Sequence, residues 1–247
     1  MSPSVPTGTL DDNFIRLLTD DDDHGNRAWV ITQTIKVLIT LRKMINMVGL
    51  SPRTLEEQIA DKLLLIYLFA RFRIKDDTKA QKTVFFAENN MNENKIKSFS
   101  YNFIRWHFGE FSRELESDLK ELKQKNFITN NLDLTQDGED ILNRMGSVLQ
   151  KNPEIVKRID MFGNYTESKT IDEVKNVAYA KIVIRGKQVK DLPLGEPLIQ
   201  KLNDSEAKIK FRIDQGWFGT FEILLNPKLK ESLDIAIAEE EYIPLEV

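Results

Sequence analysis

Apolar positions recur along this chain in two periods, and the points where one period gives way to the other mark the predicted elements. Trp29 to Val48 reads as a first helix, ended by Gly49. In "SPRTLEEQIADKLLLIYLFARFRI", residues 51–74, Leu55, Ile59, Leu63, Ile66, Tyr67 and Ala70 share one helical face. Thr54 and Glu57 have capping-box spacing behind a Ser-Pro start, so this stretch is expected to be a core helix. Another helix opens at Asp76-Asp77-Thr78, where Thr78 and Gln81 repeat the capping spacing. Its predicted buried stripe is Ala80, Val84, Ala87 and Met91, and the polar turn "NENK" closes it.

The period then drops to two, because Phe99, Tyr101 and Phe103 alternate as in a strand, and Gly109 ends that run. Ser112 is placed to cap a helix with Leu115, Leu119 and Leu122 facing inward and Phe111 packed beneath it. Asn130-Asn131 lies between "FIT" and "LDLT", which predicts a short hairpin whose asparagines take left-handed conformations. Thr135 caps the next helix, which carries Ile141, Leu142, Met145 and Leu149. Helix, helix, strand, helix, hairpin, helix is a winged-helix order. Thr170 and Glu173 again have capping-box spacing and open a closing helix.

In the carboxy-terminal third, "DLPLGEPL" is a turn-rich connection. "KIKFRID" alternates strictly and passes Gly216 into "WFGTFEILL", a pattern that predicts a β-hairpin. Asn226-Pro227 starts a last helix with Leu229, Leu233 and Ile237 inward. The predicted fold class is therefore mainly α (α+β), with a winged-helix-like core and an appended C-terminal β-hairpin and helix. Residues 27–180 form the helical domain, residues 181–247 the extension, and the Asp-rich residues 1–26 a disordered tail.

Charge adds one contrast to this picture. Residues 1–26 carry a net charge of −5 and residues 231–247 a net charge of −6, which leaves +7 on the body between them. A basic body is compatible with nucleic-acid contact, and equally with a mixed solvated surface between two acidic ends. The chain has no cysteine, so disulfides, thiol catalysis and cysteine metal sites are excluded. Val30 to Val48, the most apolar run, is broken by Lys36, Arg42 and Lys43, so no membrane span and no signal peptide are expected, and a cytoplasmic setting fits.

Candidate chemistry is sparse. His24 and His107 are the only histidines, too few for a histidine-based triad or a multi-histidine metal site. No phosphate-cradling glycine pattern is present, and Glu114 with Asp118 reads as a solvated helical pair. The expectation is a non-enzyme without cofactors. In a winged helix the helix before the wing meets DNA, and here Arg113, Lys120 and Lys123 are its candidate phosphate contacts. That helix nevertheless has no net charge, since Arg113, Lys120, Lys123 and Lys125 are matched by Glu114, Glu116, Asp118 and Glu121. Trp106 and Phe111 are the candidate anchors for a protein partner, because aromatics are enriched among residues that dominate interface energy.

"HFGEFSRELESDLKELKQKNFI" followed by "LDLTQDGEDIL" resembles the SocA-like, or Panacea-type, antitoxin domain family, with "AQKTVFFAENN" upstream and "NYTESKTIDEVKNVAYA" downstream extending the likeness over roughly residues 55–179. Where that family usually has proline after the glycine, this chain has Glu110. The resemblance implies a winged-helix-like antitoxin or adaptor that binds another protein, such as a toxin. It leaves a DNA-binding transcriptional regulator as the alternative.

Overall fold

Thr54 starts the first helix of the described residues with the reciprocal pair of bonds that the sequence predicts: Glu57 N–H donates to Thr54 Oγ1 (3.2 Å) and Thr54 N–H to Glu57 Oε2 (3.0 Å). The computed structural model describes residues 52–180 and 182–226, together with Lys228, Leu229, Glu231, Ser232 and Ile235. The predicted helix at Trp29–Val48, the predicted tail at residues 1–26, and Leu233 and Ile237 of the predicted last helix lie outside the described residues.

Helix α1 (Leu55–Arg71) is buried without interruption from Ile59 to Phe69. A helix buried on every face sits at the centre of a core rather than on its surface. Leu55 and Ala70, the two ends of the predicted stripe, are exposed. Helix α2 (Asp77–Glu93) buries Ala80, Val84, Ala87 and Met91 as predicted, together with Phe85 and Phe86. Its cap is Asp76, not Thr78: the Asp76 carboxylate accepts from Lys79 N–H at 2.8 Å. A carboxylate at the helix start also meets the positive end of the helix dipole. Gln81 is thereby free for another partner.

Strand β1 is short (Ile96–Lys97). The aromatic alternation that follows is not a strand. Phe99, Tyr101 and Phe103 are buried, but so are Ser98, Ser100 and Asn102, because protein covers this stretch on both sides. Pairing begins only with β2 (Ile104–Trp106), which runs antiparallel to β3 (Gly109–Phe111) in the register Ile104↔Phe111, Arg105↔Glu110 and Trp106↔Gly109. Gly109 thus lies inside a hairpin with His107 and Phe108 at its tip, and its φ of 102° is one that other residues rarely adopt.

Helix α3 (Arg113–Gln124) has the predicted Ser112 cap and buries Leu115, Leu119 and Leu122. The predicted wing contracts to a single antiparallel bridge, Ile128↔Leu134. Its left-handed residue is Leu132 (φ 63°), not an asparagine of the Asn130-Asn131 pair. Burial of the Leu132 side chain offsets that strain. Helix α4 (Gln136–Arg144) has the predicted Thr135 cap, but the helix breaks at Met145 before α5 (Gly146–Lys151). Gly138 is needed where α4 starts, because a Cβ there would lie 2.2 Å from the Phe127 carbonyl oxygen. Cap and close approach together account for the "LTQDG" signature.

Helices α6 (Pro153–Glu167) and α7 (Ile171–Ala180) pack on α2, and Thr170 and Glu173 exchange hydrogen bonds as predicted. A tight hairpin follows, β4 (Val183–Ile184) and β5 (Lys187–Gln188), with Arg185 and Gly186 both at positive φ as a two-residue turn of this kind requires.

The predicted C-terminal β-hairpin is not formed. Strand β6 (Ile209–Lys210) pairs in parallel with β1, and "WFGTFEIL" lies in helix α8 (Gln215–Leu224). Trp217 and Phe221, four residues apart, stack at 5.7 Å on one face of that helix, a helical spacing that outweighs the β-like composition. The fold is mainly α with small β elements. Ile184, Val189, Leu198, Ile199, Phe221 and Leu225 belong to the same hydrophobic core as α1 and α2. Among the described residues no helix is long and apolar enough to cross a membrane.

Candidate functional site

Alternation along the β2–β3 hairpin separates two sets of side chains. Trp106 and Phe111 lie on the outward side, with ring centroids 6.3 Å apart, and Trp106 is 36% exposed. Phe108, at the hairpin tip, is 81% exposed. The His107 ring stands edge-on to Trp106 at 5.0 Å. Beside them a cleft of ≈ 160 Å³ is lined by Gln81, Lys82, Trp106, Phe108, Phe111 and Glu116, among others. The protein-anchor candidates Trp106 and Phe111 therefore come together on one surface. Phe108 is the residue sequence reasoning missed, although its place between the alternating run and Gly109 marks a turn.

Arg105 and Glu110 occupy the inward side of the hairpin, and both are buried. Lys82 donates to the carbonyl oxygens of Glu110 (2.7 Å) and Phe108 (3.3 Å), and lies 3.2 Å from the Glu110 carboxylate. Burial pushes the Lys82 ammonium down and the Glu110 carboxyl up from their usual ranges. Arg105 donates to Tyr179 Oη at 2.6 Å and its guanidinium lies over the same ring. The other edge of β2 is covered by residues 195–198: Arg105 N–H donates to Glu196 O (2.8 Å), Gly195 N–H to Arg105 O (2.7 Å) and Leu198 N–H to Phe103 O (2.8 Å). The hairpin is tied from three sides, so its tip is held firmly.

The nucleic-acid candidates do not form a free cationic row. Arg113 lies over the Trp106 ring at 6.0 Å, and Lys123 is paired with Asp77 at 2.7 Å. Lys120 is exposed.

A buried ionic cluster that the sequence does not reveal joins the start of α1 to α3. Arg53 Nη1 donates to Asp61 Oδ2 (2.7 Å) and Asp118 Oδ2 (2.6 Å), and its Nη2 to Asp118 Oδ1 (3.1 Å). Tyr101 Oη donates to Asp118 at 2.9 Å, and Ser100 N–H to Asp61 at 2.8 Å. Asp118 is therefore not half of a solvated pair with Glu114. It is buried, and Glu114 is engaged by Ser112 and Asn102.

Burial, with the Asp118 charge nearby, pushes Asp61 up to about 7 even though Arg53 opposes the shift. A carboxyl raised in the folded state adds stability below its unfolded value, 3.8, and loses it as pH rises through about 7. Buried Glu88 is raised as well, so it acts in the same direction. Asp204, held at about 2 by Lys210 and Lys97, acts oppositely and loses its contribution only in strong acid. The urea midpoint is therefore expected to fall between pH 5 and pH 8, and Asp61→Asn to flatten that slope whatever its absolute stability. A slope unchanged by Asp61→Asn would show that Asp61 does not titrate there.

Among the described residues no group of three His, Asp or Glu side chains is placed to hold a metal ion. No protein-family model, no curated protein and no solved structure matches this chain.

Proposed function

We propose that this protein is a non-enzymatic binding module that docks another protein through the β2–β3 hairpin. More particularly, it is a SocA-like antitoxin or adaptor, the reading to which the "HFGEFS" and "LDLTQDG" stretches point. The observation that carries the reading is Phe108, 81% exposed at the tip of a hairpin fixed from three sides. Burying such a side chain contributes about 1.5–3 kcal/mol, and Trp106 beside it supplies a second aromatic anchor. Glu110 departs from the family's usual proline, and its carboxylate, 3.2 Å from the Lys82 ammonium, adds a tie between the hairpin and α2 that a proline would lack.

The test uses a partner that co-purifies from the native host. Phe108→Ala is expected to weaken its binding at least about tenfold, or about 1.4 kcal/mol, and to leave the melting temperature nearly unchanged because the residue is exposed. Full retention of the partner by Phe108→Ala would overturn the reading.

The alternative is a winged-helix DNA-binding regulator, favoured by the order of α3, the Ile128↔Leu134 bridge and α4. Phosphate neutralisation dominates DNA affinity, and α3 offers no net charge while Lys123 is already paired. Weak, sequence-independent DNA binding at physiological salt is the expected anisotropy result. Specific nanomolar binding, lost on Arg113→Ala with Lys120→Ala, would promote the regulator.

A further inference from the structure

Residues 195–202 run along the outer edge of β2 and end over α2, where a small cavity lies beneath them. Its volume is ≈ 20 Å³, and Glu88, Phe99, Ser100, Ile199 and Lys201 are among its lining residues. Glu88 is 5% exposed, yet its Oε2 has no hydrogen-bond partner among the described residues, and neither does the buried Nζ of Lys201. A buried acid and a buried ammonium, each lacking a partner and lining one cavity, call for an occupant that bonds to both.

Size and charge select that occupant. About 10–15 Å³ of this kind of volume is what one water needs, so the cavity is the size for one. The Lys201 ammonium disfavours a cation, and the Asp61 and Glu114 carboxylates, whose charges reach Glu88, disfavour an anion. A neutral molecule with both donors and acceptors remains.

We infer that this cavity binds a single water that joins Glu88 of α2 to Lys201 and so latches the end of the 195–202 segment, the segment that braces the hairpin through Glu196 and Leu198. Burial and the neighbouring Asp61 push the Glu88 carboxyl well above its usual range, which favours the protonated form with an O–H to give. The water accepts from Lys201 Nζ–H and from the Glu88 O–H. It keeps two hydrogens for acceptors in the cavity wall, where Ser100 lies. The latch follows from the cavity alone and holds whether or not the hairpin docks a protein.

Hydrogen exchange of individual amides in the full chain tests it. In Lys201→Met the amides of Arg105 and Leu198, which bond across β2 and the 195–198 segment, should exchange at least tenfold faster, with the Phe85 amide in α2 unchanged as the measure of an intact fold. Glu88→Leu should do the same, and Glu88→Gln, which keeps a donor and an acceptor, should retain the protection. A nuclear Overhauser contact between a long-lived water and the Ser100 amide should be present in the wild type and lost in Lys201→Met. Unchanged exchange at Arg105 and Leu198 in both Lys201→Met and Glu88→Leu would overturn the latch. So would the absence of a long-lived water near Ser100. Should Lys201→Met not fold, the contrast between Glu88→Gln and Glu88→Leu decides by the same two readouts.

Discussion

Arg53→Ala is expected to lower the unfolding free energy by about 3–5 kcal/mol, the range for removing one partner of a buried ionic cluster. The guanidinium sits between two carboxylates that have almost no access to water, at 2.7 Å from Asp61 and 2.6 Å from Asp118. Without it, those carboxylates face one another across a dry site, and protonating one of them relieves only part of the cost. Arg53 also lies over the Tyr101 ring at 4.9 Å, so the aromatic loses a cation that it packs against. Replacing the whole cluster at once, with Arg53→Met, Asp61→Leu and Asp118→Leu, should cost less than Arg53→Ala, because no uncompensated charge remains. Urea unfolding of the two proteins decides the point. A loss below about 1 kcal/mol for Arg53→Ala would mean that the cluster is solvated in solution.

Leu119→Ala comes next in size, with an expected cost of about 2–5 kcal/mol. Leu119 is 1% exposed and lies in the hydrophobic core with Leu115 and Leu122, so truncation opens a cavity in the face that joins α3 to the body of the protein. Position matters here as much as size. Leu119 follows Asp118, so a loosened α3 also disturbs the hold of Asp118 on Arg53 and Tyr101, which places the cost toward the upper end of the range. A thermal melt that showed no loss would refute this placement of α3.

Much of the helical architecture was legible because its signals are local. Thr54 with Glu57, Ser112, Thr135, and Thr170 with Glu173 each announce a helix within four residues of chain, and the stripes behind them are long enough to fix the period. The failures occur where burial is decided at a distance. Phe99, Tyr101 and Phe103 alternate, but Ser100 and Asn102 between them are buried too, and nothing in their immediate neighbourhood records what covers them. Trp217 and Phe221 lie in an aromatic-rich run that follows the alternating "KIKFRID" through Gly216, a pattern that reads as a hairpin although their four-residue spacing fits a helix. The candidate site divides in the same way. Trp106 and Phe111 are close in sequence and form one hairpin surface, so pattern reading reached them. Arg53 and Asp61 share residues 51–74, but Asp118 lies 57 or more residues further on in α3, and no spacing rule links the three. The misreading of Asp118 as a solvated residue followed from seeing only Glu114 beside it.

Two consecutive residues of α2 control more of this surface than their size implies. Gln81 exchanges two hydrogen bonds with the backbone of Ser112, at 2.9 Å and 3.0 Å, and Lys82 holds the carbonyl oxygens of Phe108 and Glu110. One turn of a central helix thus grips both the tip of the hairpin and the first residue of α3's cap. The backbone that carries Trp106, Phe108 and Arg113 is tied down before anything touches it, and a backbone already ordered loses little further entropy when a contact forms. If the hairpin docks a protein as proposed, recognition would resemble a cut key rather than a closing hand: variants that loosen Gln81 or Lys82 should weaken an encounter they never touch, by making the face assemble first.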